Sequence, residues 1–303
     1  MLLFEWVTAV PADPALRAAL LPDAEAMVEA LAPALAARFG EGFRLVRDPA
    51  LPPPRCGVAT VPFPGTRPEE VARLVAPGDL LWAIAPEHEG ILRRLVAAAR
   101  AAGATVLASD DATLAVCGSK TRTAEALAAA GIGVVPVLPT ARARALAPAT
   151  LVLQPDAGAG GDGLRRLPAH RLPHPLPAAH ILRPFLQGEH LSLTLLCRGG
   201  RARVLACNRR HVAFGEAGLS ERVEVGAAES LRSVLEPLAR RIAAALPGLL
   251  GPVGVDLLLF RGRPLVLEVN ARTTAAWCGL LHSDDRPVDL ALACVGRDVE
   301  TAA

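Results

Sequence analysis

Between Asp79 and Ala108 the chain runs strand, helix, strand, and that order restricts the fold more than any other feature of the sequence. Asp79-Leu-Leu-Trp-Ala-Ile-Ala85 is apolar after its first residue, as a strand covered on both faces must be. Pro86 and an acidic turn follow. Ile91 to Ala102 then reads as a helix stopped by Gly103, and Ala104 to Ala108 as another strand. Strands joined through a helix run parallel, so residues 1–112 are expected to form a parallel α/β domain. Residues 2–10 provide a first strand, and Ala24 to Phe39 a helix with Met27, Val28, Leu31 and Leu35 near one face. Seven prolines between residues 49 and 68 make that stretch mostly loop.

A second unit opens at Ser119, an N-cap for a helix from Lys120 to Ala130 that Gly131 closes. Val134 to Leu138 and Thr150 to Gln154 are short extended runs. Residues 164–180 contain four prolines and no acid, so they are expected to be a connection rather than an element. They divide a small subdomain, 113–180, from a C-terminal one, 181–303. Strand-like runs follow at 181–186, 191–197 and 202–207, then a helix containing Pro237 and ending near Leu246. The last feature is the hairpin Val253 to Phe260, Arg-Gly-Arg, Pro264 to Asn270.

Charge and composition exclude several functions. Lys+Arg number 32 against 30 Asp+Glu, with neither sign gathered into a tail, and only 3% of residues are aromatic. A nucleic-acid partner would want a basic face and rings to stack on. The apolar stretches are interrupted by charge or proline before the roughly 20 residues a spanning helix needs, so no membrane partner is expected. The first ten residues have no basic n-region and reach an acid at Glu5, which points to a cytoplasmic protein. Six scattered cysteines, with no C-x-x-C, read as small apolar residues rather than disulfides or zinc ligands.

Three constellations carry chemistry. Lys120 is the only lysine, so 31 of the 32 basic residues are arginine, and the one compact ammonium suits point contact with a phosphate. Gln154-Pro-Asp-Ala-Gly158-Ala-Gly160-Gly161-Asp-Gly163 contains a literal G-x-G-x-x-G, but no acid occurs between Gly163 and Glu189 to hold a ribose, and the chain turns proline-rich where a dinucleotide fold needs a helix. What remains is a flexible glycine loop whose N–H groups can lie over nucleotide phosphates.

The third is the hairpin. Glu268 and Asn270 are two apart and share one strand face. Asp256 joins them if the hairpin pairs it with Glu268, which calls for an odd turn such as Arg261-Gly262-Arg263. Two carboxylates about 4 Å apart repel by about 4 kcal/mol at an effective dielectric near 20, so they need a counter-ion. Two carboxylates and an amide oxygen suit Mg²⁺, which also favours phosphate oxygens. Arg272, two residues on, is placed to cover a transferring phosphoryl group. His88, His190 and His211 are further acid/base candidates.

Lys120 in Cys-Gly-Ser-Lys-Thr-Arg-Thr, the Gln-Pro-x-x-Gly-x-Gly-Gly loop, the Ile181-Leu-Arg-Pro-Phe-Leu-Gln-Gly188 hinge and the Asp256/Glu268/Asn270/Arg272 hairpin together resemble the ATP-grasp superfamily. Phe4-Glu5, Ala85-Pro86-Glu87-His88-Glu89-Gly90 and Asn270-Ala-Arg-Thr-Thr274 are similar to the tyramine-glutamate ligases of methanofuran biosynthesis and related carboxylate-amine ligases.

The resemblance implies an α/β (α+β) fold in which a pre-ATP-grasp domain precedes two α+β subdomains clasping ATP. It implies an ADP-producing ligase that joins a small-molecule carboxylate to an amine through an acyl-phosphate, and leaves a homodimer open. By position, Lys120 and the loop residues Gln154, Gly158, Gly160 and Gly161 would meet the phosphates, Phe185 and Leu186 the adenine, and Glu189 the ribose. Asp256, Glu268 and Asn270 would carry Mg²⁺. One departure stands out: family members carry a second lysine where this chain has Gln154. Either nucleotide affinity or turnover is lowered, or a nearby arginine such as Arg165 substitutes; the alternative function is a nucleotide-binding regulatory or scaffold protein with a degenerate site.

Overall fold

A computed structural model describes residues 1–11, 14–63, 65–146, 149–158, 161, 163–215, 218–282 and 284–296. Its first sheet is wholly parallel. The strands are β1 (Leu2–Glu5), β2 (Arg44–Val46), β3 (Thr60–Val61), β4 (Leu80–Ile84) and β5 (Thr105–Leu107), in the order β3-β2-β1-β4-β5. Successive residues of one strand enter different cores. Leu2, Phe4, Leu81 and Ala83 pack on one face, and Leu3, Trp82 and Ile84 on the other.

The expected first strand is shorter than the sequence suggests. Residues Trp6–Ala9 form a helical turn, α1, because the Glu5 carboxylate accepts the Thr8 N–H at 2.7 Å and caps it. The next helix is longer: α2 runs Pro14–Phe39, with Pro22 and Pro33 inside it. Its buried stripe of Ala24, Met27, Val28, Leu31 and Leu35 is the one the periodicity shows. Helix α3 (Ile91–Ala101) ends at Gly103, whose φ of +87° suits a residue without Cβ. Strand order turns back at β1, which lies between β2 and β4, so the carboxyl ends of β1 and β4 flank a crevice.

Helices α4 (Asp111–Cys117) and α5 (Lys120–Ala129) follow; Ser119 Oγ accepts the Arg122 N–H and caps α5. After α6 (Thr140–Ala145) comes a small antiparallel sheet of β6 (Thr150–Pro155), β7 (Arg165–Pro168) and β8 (His180–Pro184), in the order β7-β6-β8. Strand β7 overturns the expectation that 164–180 is pure connection. Its proline sits at the strand's end, where no further ladder bond is needed.

The third sheet, also antiparallel, has the order β11-β10-β9-β12-β13, from β9 (Glu189–Arg198), β10 (Arg201–Gly215), β11 (Gly218–Glu224), β12 (Gly251–Phe260) and β13 (Arg263–Asn270). The run expected at 202–207 is thus only the start of β10. From Arg209 onward that strand pairs with β11, and charged residues there hide the period-two pattern. Helix α7 (Arg232–Ala245) packs Leu235, Leu238 and Ile242 against this sheet. Helices α8 (Ala276–Leu281) and α9 (Arg286–Ala293) return the chain to α2, where Arg38 bridges Asp285 and Asp289. No helix among the described residues is long and apolar enough to cross a membrane.

Candidate active site

A cavity of about 730 Å³, ample for a nucleotide, lies between the small sheet, the long antiparallel sheet and α2. Asp256 on β12 and Glu268 on β13 are direct cross-strand partners, and both line it together with Asn270. The register arises differently from the expected odd turn. Phe260 pairs with Arg263, so the turn is the two residues Arg261 and Gly262, at φ +50° and +75°. That turn alone would set Asp256 opposite Leu267 and put the two carboxylates on different faces. A β-bulge at Leu267 absorbs one residue and restores the Asp256–Glu268 pair.

The pair is surrounded by cations. Arg210 on β10 lies 2.8 Å from Asp256 and holds Glu221 at 2.5 and 2.6 Å, while Lys120 Nζ lies 3.3 Å from Glu268. Burial pushes both carboxyls up. For Glu268 the Lys120 charge, the hydrogen bond with Asp256 and the Arg210 charge outweigh burial and bring it to about 2. For Asp256, burial and the adjacent Glu268 prevail over Arg210, and its pKa rises well above the carboxylate range. The two carboxyls are thus pulled in opposite directions, Asp256 up and Glu268 down. Such a donor set suits a divalent cation. Among the described residues no three His, Cys, Asp or Glu gather to hold a metal, so a cation here also needs ligand oxygens.

Lys120 opens α5 and donates to the Gly158 carbonyl at 3.3 Å, which ties the helix to the glycine loop. Asp156 fastens the same junction: it accepts from Ser119 Oγ at 2.6 Å, Thr121 N at 2.8 Å and Thr121 Oγ1 at 2.7 Å. Burial raises its pKa, but those bonds and Lys120 hold it below the ordinary range. Gln154 is buried on β6 and faces the cavity, as do Gly158 and Gly161. Gly160 lies outside the described residues.

At the other end stand Phe185 and Leu186. The Phe185 N–H already donates to Thr150 O at 3.0 Å, and the Arg166 guanidinium lies 5.0 Å from its ring. The hinge then passes so close to β12 that a Cβ on Gly188 would come 2.6 Å from Leu259 O. Glu189 is not brought to the cavity wall; it lies 2.8 Å from Arg209. Arg165, the candidate substitute for the missing lysine, is exposed on β7 and does not line the cavity. His190 does, and burial lowers its pKa. His88 and His211 do not; His211 lies 3.0 Å from Glu224.

Arg272 is on the wall, with its Nε donating to both oxygens of Glu87 at 3.0 Å. Beside it, Trp82 Nε1 donates to Thr273 Oγ1 at 2.9 Å. The crevice at the ends of β1 and β4 therefore opens onto the end of the carboxylate hairpin. Ala19, Leu20 and Asp23 of α2 extend the cavity on this side.

Glu5, 2% exposed, belongs to the same crevice, and burial pushes its carboxyl up to about 7 against the Thr8 and Val7 amide bonds. A raised carboxyl adds stability below its ordinary value of 4.5, and that stability is lost as pH rises through about 7. Glu5→Gln keeps the capping oxygen and removes the titration. The loss of unfolding free energy between pH 5 and pH 8, read from urea titrations, is expected to be smaller in this variant by about 2 to 3 kcal/mol.

Arg183, Arg210, Glu221 and Asp156 were not singled out from the sequence. Arg183 had a signal, being the one charge inside the apolar run 181–186; Arg210 and Glu221 sit among other charged residues and had none.

Residues 117–276, more than half of the chain, match the ATP-grasp domain, and residues 43–114 match the pre ATP-grasp 3 domain. The chain belongs to the ATP-grasp family. A crystal structure described as that of an ATP-grasp superfamily protein from Archaeoglobus fulgidus is 20% identical, with TM-score 0.67, covering 99% of this chain and 88% of that one. The D-alanine–D-alanine ligase of Bacillus anthracis is 13% identical, TM-score 0.64, covering 98% and 96%. Biotin carboxylase of Campylobacter jejuni is 14% identical, TM-score 0.66, covering 90% and 69%. At these identities the likeness is one of fold. No curated protein sequence matches the chain.

Proposed function

We propose that this protein is an ATP-dependent carboxylate-amine ligase. The observation that carries the reading is the Asp256–Glu268 pair, brought face to face by a bulge and set opposite Lys120 on one cavity wall. Asp256, Glu268 and Asn270 would hold Mg²⁺, which supplies charge neutralisation at the phosphate oxygens of bound ATP. A 2-oxoglutarate carboxylase domain of Hydrogenobacter thermophilus, 14% identical with TM-score 0.61, was crystallised with MgADP and bicarbonate.

Each residue has a positioning task, as phosphoryl transfer requires little else of a protein. Lys120 contacts the phosphates from the start of α5, and Gln154, Gly158 and Gly161 lie over them. Phe185 and Leu186 enclose the adenine. The carboxylate substrate enters from the α2 side, where Arg272, held by Glu87, faces the phosphoryl group that converts the acid to its acyl-phosphate; an amine then displaces phosphate to form the amide. In the narrower form, glutamate is joined to an aromatic amine or amino acid in a methanofuran-like cofactor pathway. The short matches at Phe4-Glu5, Ala85 to Gly90 and Asn270 to Thr274 support it.

A second reading, a nucleotide-binding regulatory or scaffold protein, draws on the neutral Gln154. ADP release from Mg-ATP across a panel of acids and amines separates the two. The ligase reading expects ADP formation that depends on both substrates. Tight ATP binding with no acceptor-dependent ADP anywhere in the panel would favour the scaffold.

A further inference from the structure

We infer that Arg183 is the second phosphate-facing cation of this site, supplying from β8 the positive charge that Gln154 does not supply from β6. The inference rests on the nucleotide reading above. In the β6–β8 ladder Val152 pairs with Arg183 and Gln154 with Ile181, so Gln154 and Arg183 are diagonal neighbours on one face of the sheet. Val152, Gln154 and Arg183 all line the cavity.

Arg183 is 3% exposed, a costly position for a charge unless something meets it. What it meets differs from the other buried arginines of the wall. Arg210 is neutralised by Glu221 and Asp256, and Arg272 by Glu87. Arg183 instead donates to two carbonyls, Leu267 O at 2.8 Å and Lys120 O at 3.4 Å, and its Nε has no hydrogen-bond partner among the described residues. Carbonyl dipoles orient a guanidinium without pairing its charge, on which Glu268 and Asp156 act only from beyond ion-pair distance. The bonds also fix where that charge lies, between the Lys120 end of α5 and the bulge residue beside Glu268. An anion entering the phosphate end would therefore meet a preoriented cation whose desolvation has already been met in folding.

Because Arg183 also braces Leu267, its charge must be tested apart from its bracing. Ligand-observed NMR titrations with MgADP and with adenosine, on folded protein, do so. Arg183→Met is expected to weaken MgADP about ten- to a hundredfold while adenosine is bound as by wild type. Adding Gln154→Lys to that variant should recover most of the MgADP affinity, since it returns a charge to the same face without restoring the brace. Equal loss of MgADP and adenosine with no recovery in the double variant would make Arg183 a brace only and overturn the inference. So would unchanged MgADP affinity in Arg183→Met. If wild-type protein binds neither ligand, the nucleotide reading itself fails and this inference with it.

Discussion

Glu268→Gln is expected to slow acceptor-dependent ADP formation by at least about a hundredfold while the protein stays folded, with a somewhat lower urea unfolding midpoint. The substitution keeps the shape and one carbonyl oxygen and removes the charge that Lys120 faces at 3.3 Å. Losing a single preorganised electrostatic contact at a transferring phosphoryl group carries a cost of this size. Some stability is expected to go with the charge, because the Lys120 and Arg210 charges outweigh the burial of Glu268 and hold its pKa at about 2, though Asp256 sheds the neighbour that helps to raise its own. Steady-state ADP assays and urea titrations of the same preparation check both halves. A rate within tenfold of wild type would remove Glu268 from the reaction.

Trp82→Ala is expected to destabilise the chain by about 3 to 5 kcal/mol. Trp82 is fully buried on β4, packs edge-on against Trp277 of α8 at 5.9 Å between ring centroids, and donates to Thr273. It thus joins the parallel sheet to the end of the carboxylate hairpin, one residue from Arg272. Trp82→Phe should keep most of the packing but leave Thr273 Oγ1 without its donor, at a cost of about 1 to 2 kcal/mol. If both variants are assayed below their unfolding transitions, the KM for the acid substrate should rise more than kcat falls. A Trp82→Ala variant as stable as wild type would show that the two parts of the chain are held together elsewhere.

The parallel sheet could be read because β4, α3 and β5 follow each other within thirty residues, with local apolar runs and a glycine stop. The carboxylates were legible for a similar reason: polar side chains inside runs of Leu and Val stand out. What escaped is non-local. The bulge at Leu267 leaves no mark in Pro264-Leu-Val-Leu-Glu268, since one apolar residue more or less changes no composition; only pairing with β12 reveals it. Arg210 reaches Asp256 from a strand whose other charges face solvent, and α2 reaches the cavity only through the tertiary packing of its first half. Glu5 looked like the middle of a strand because its capping bond to Thr8 is formed at the strand's end, where a carboxylate competes with the ladder.

Lys120 bears the only side-chain amine in the chain and stands on the cavity wall with 15% of that side chain exposed. Reagents that acylate amines consequently have a single internal address on the folded protein. A nucleotide carrying a reactive acyl group would label that residue and spare the arginine-covered surface, so the labelled fraction of the one lysine peptide would count filled cavities.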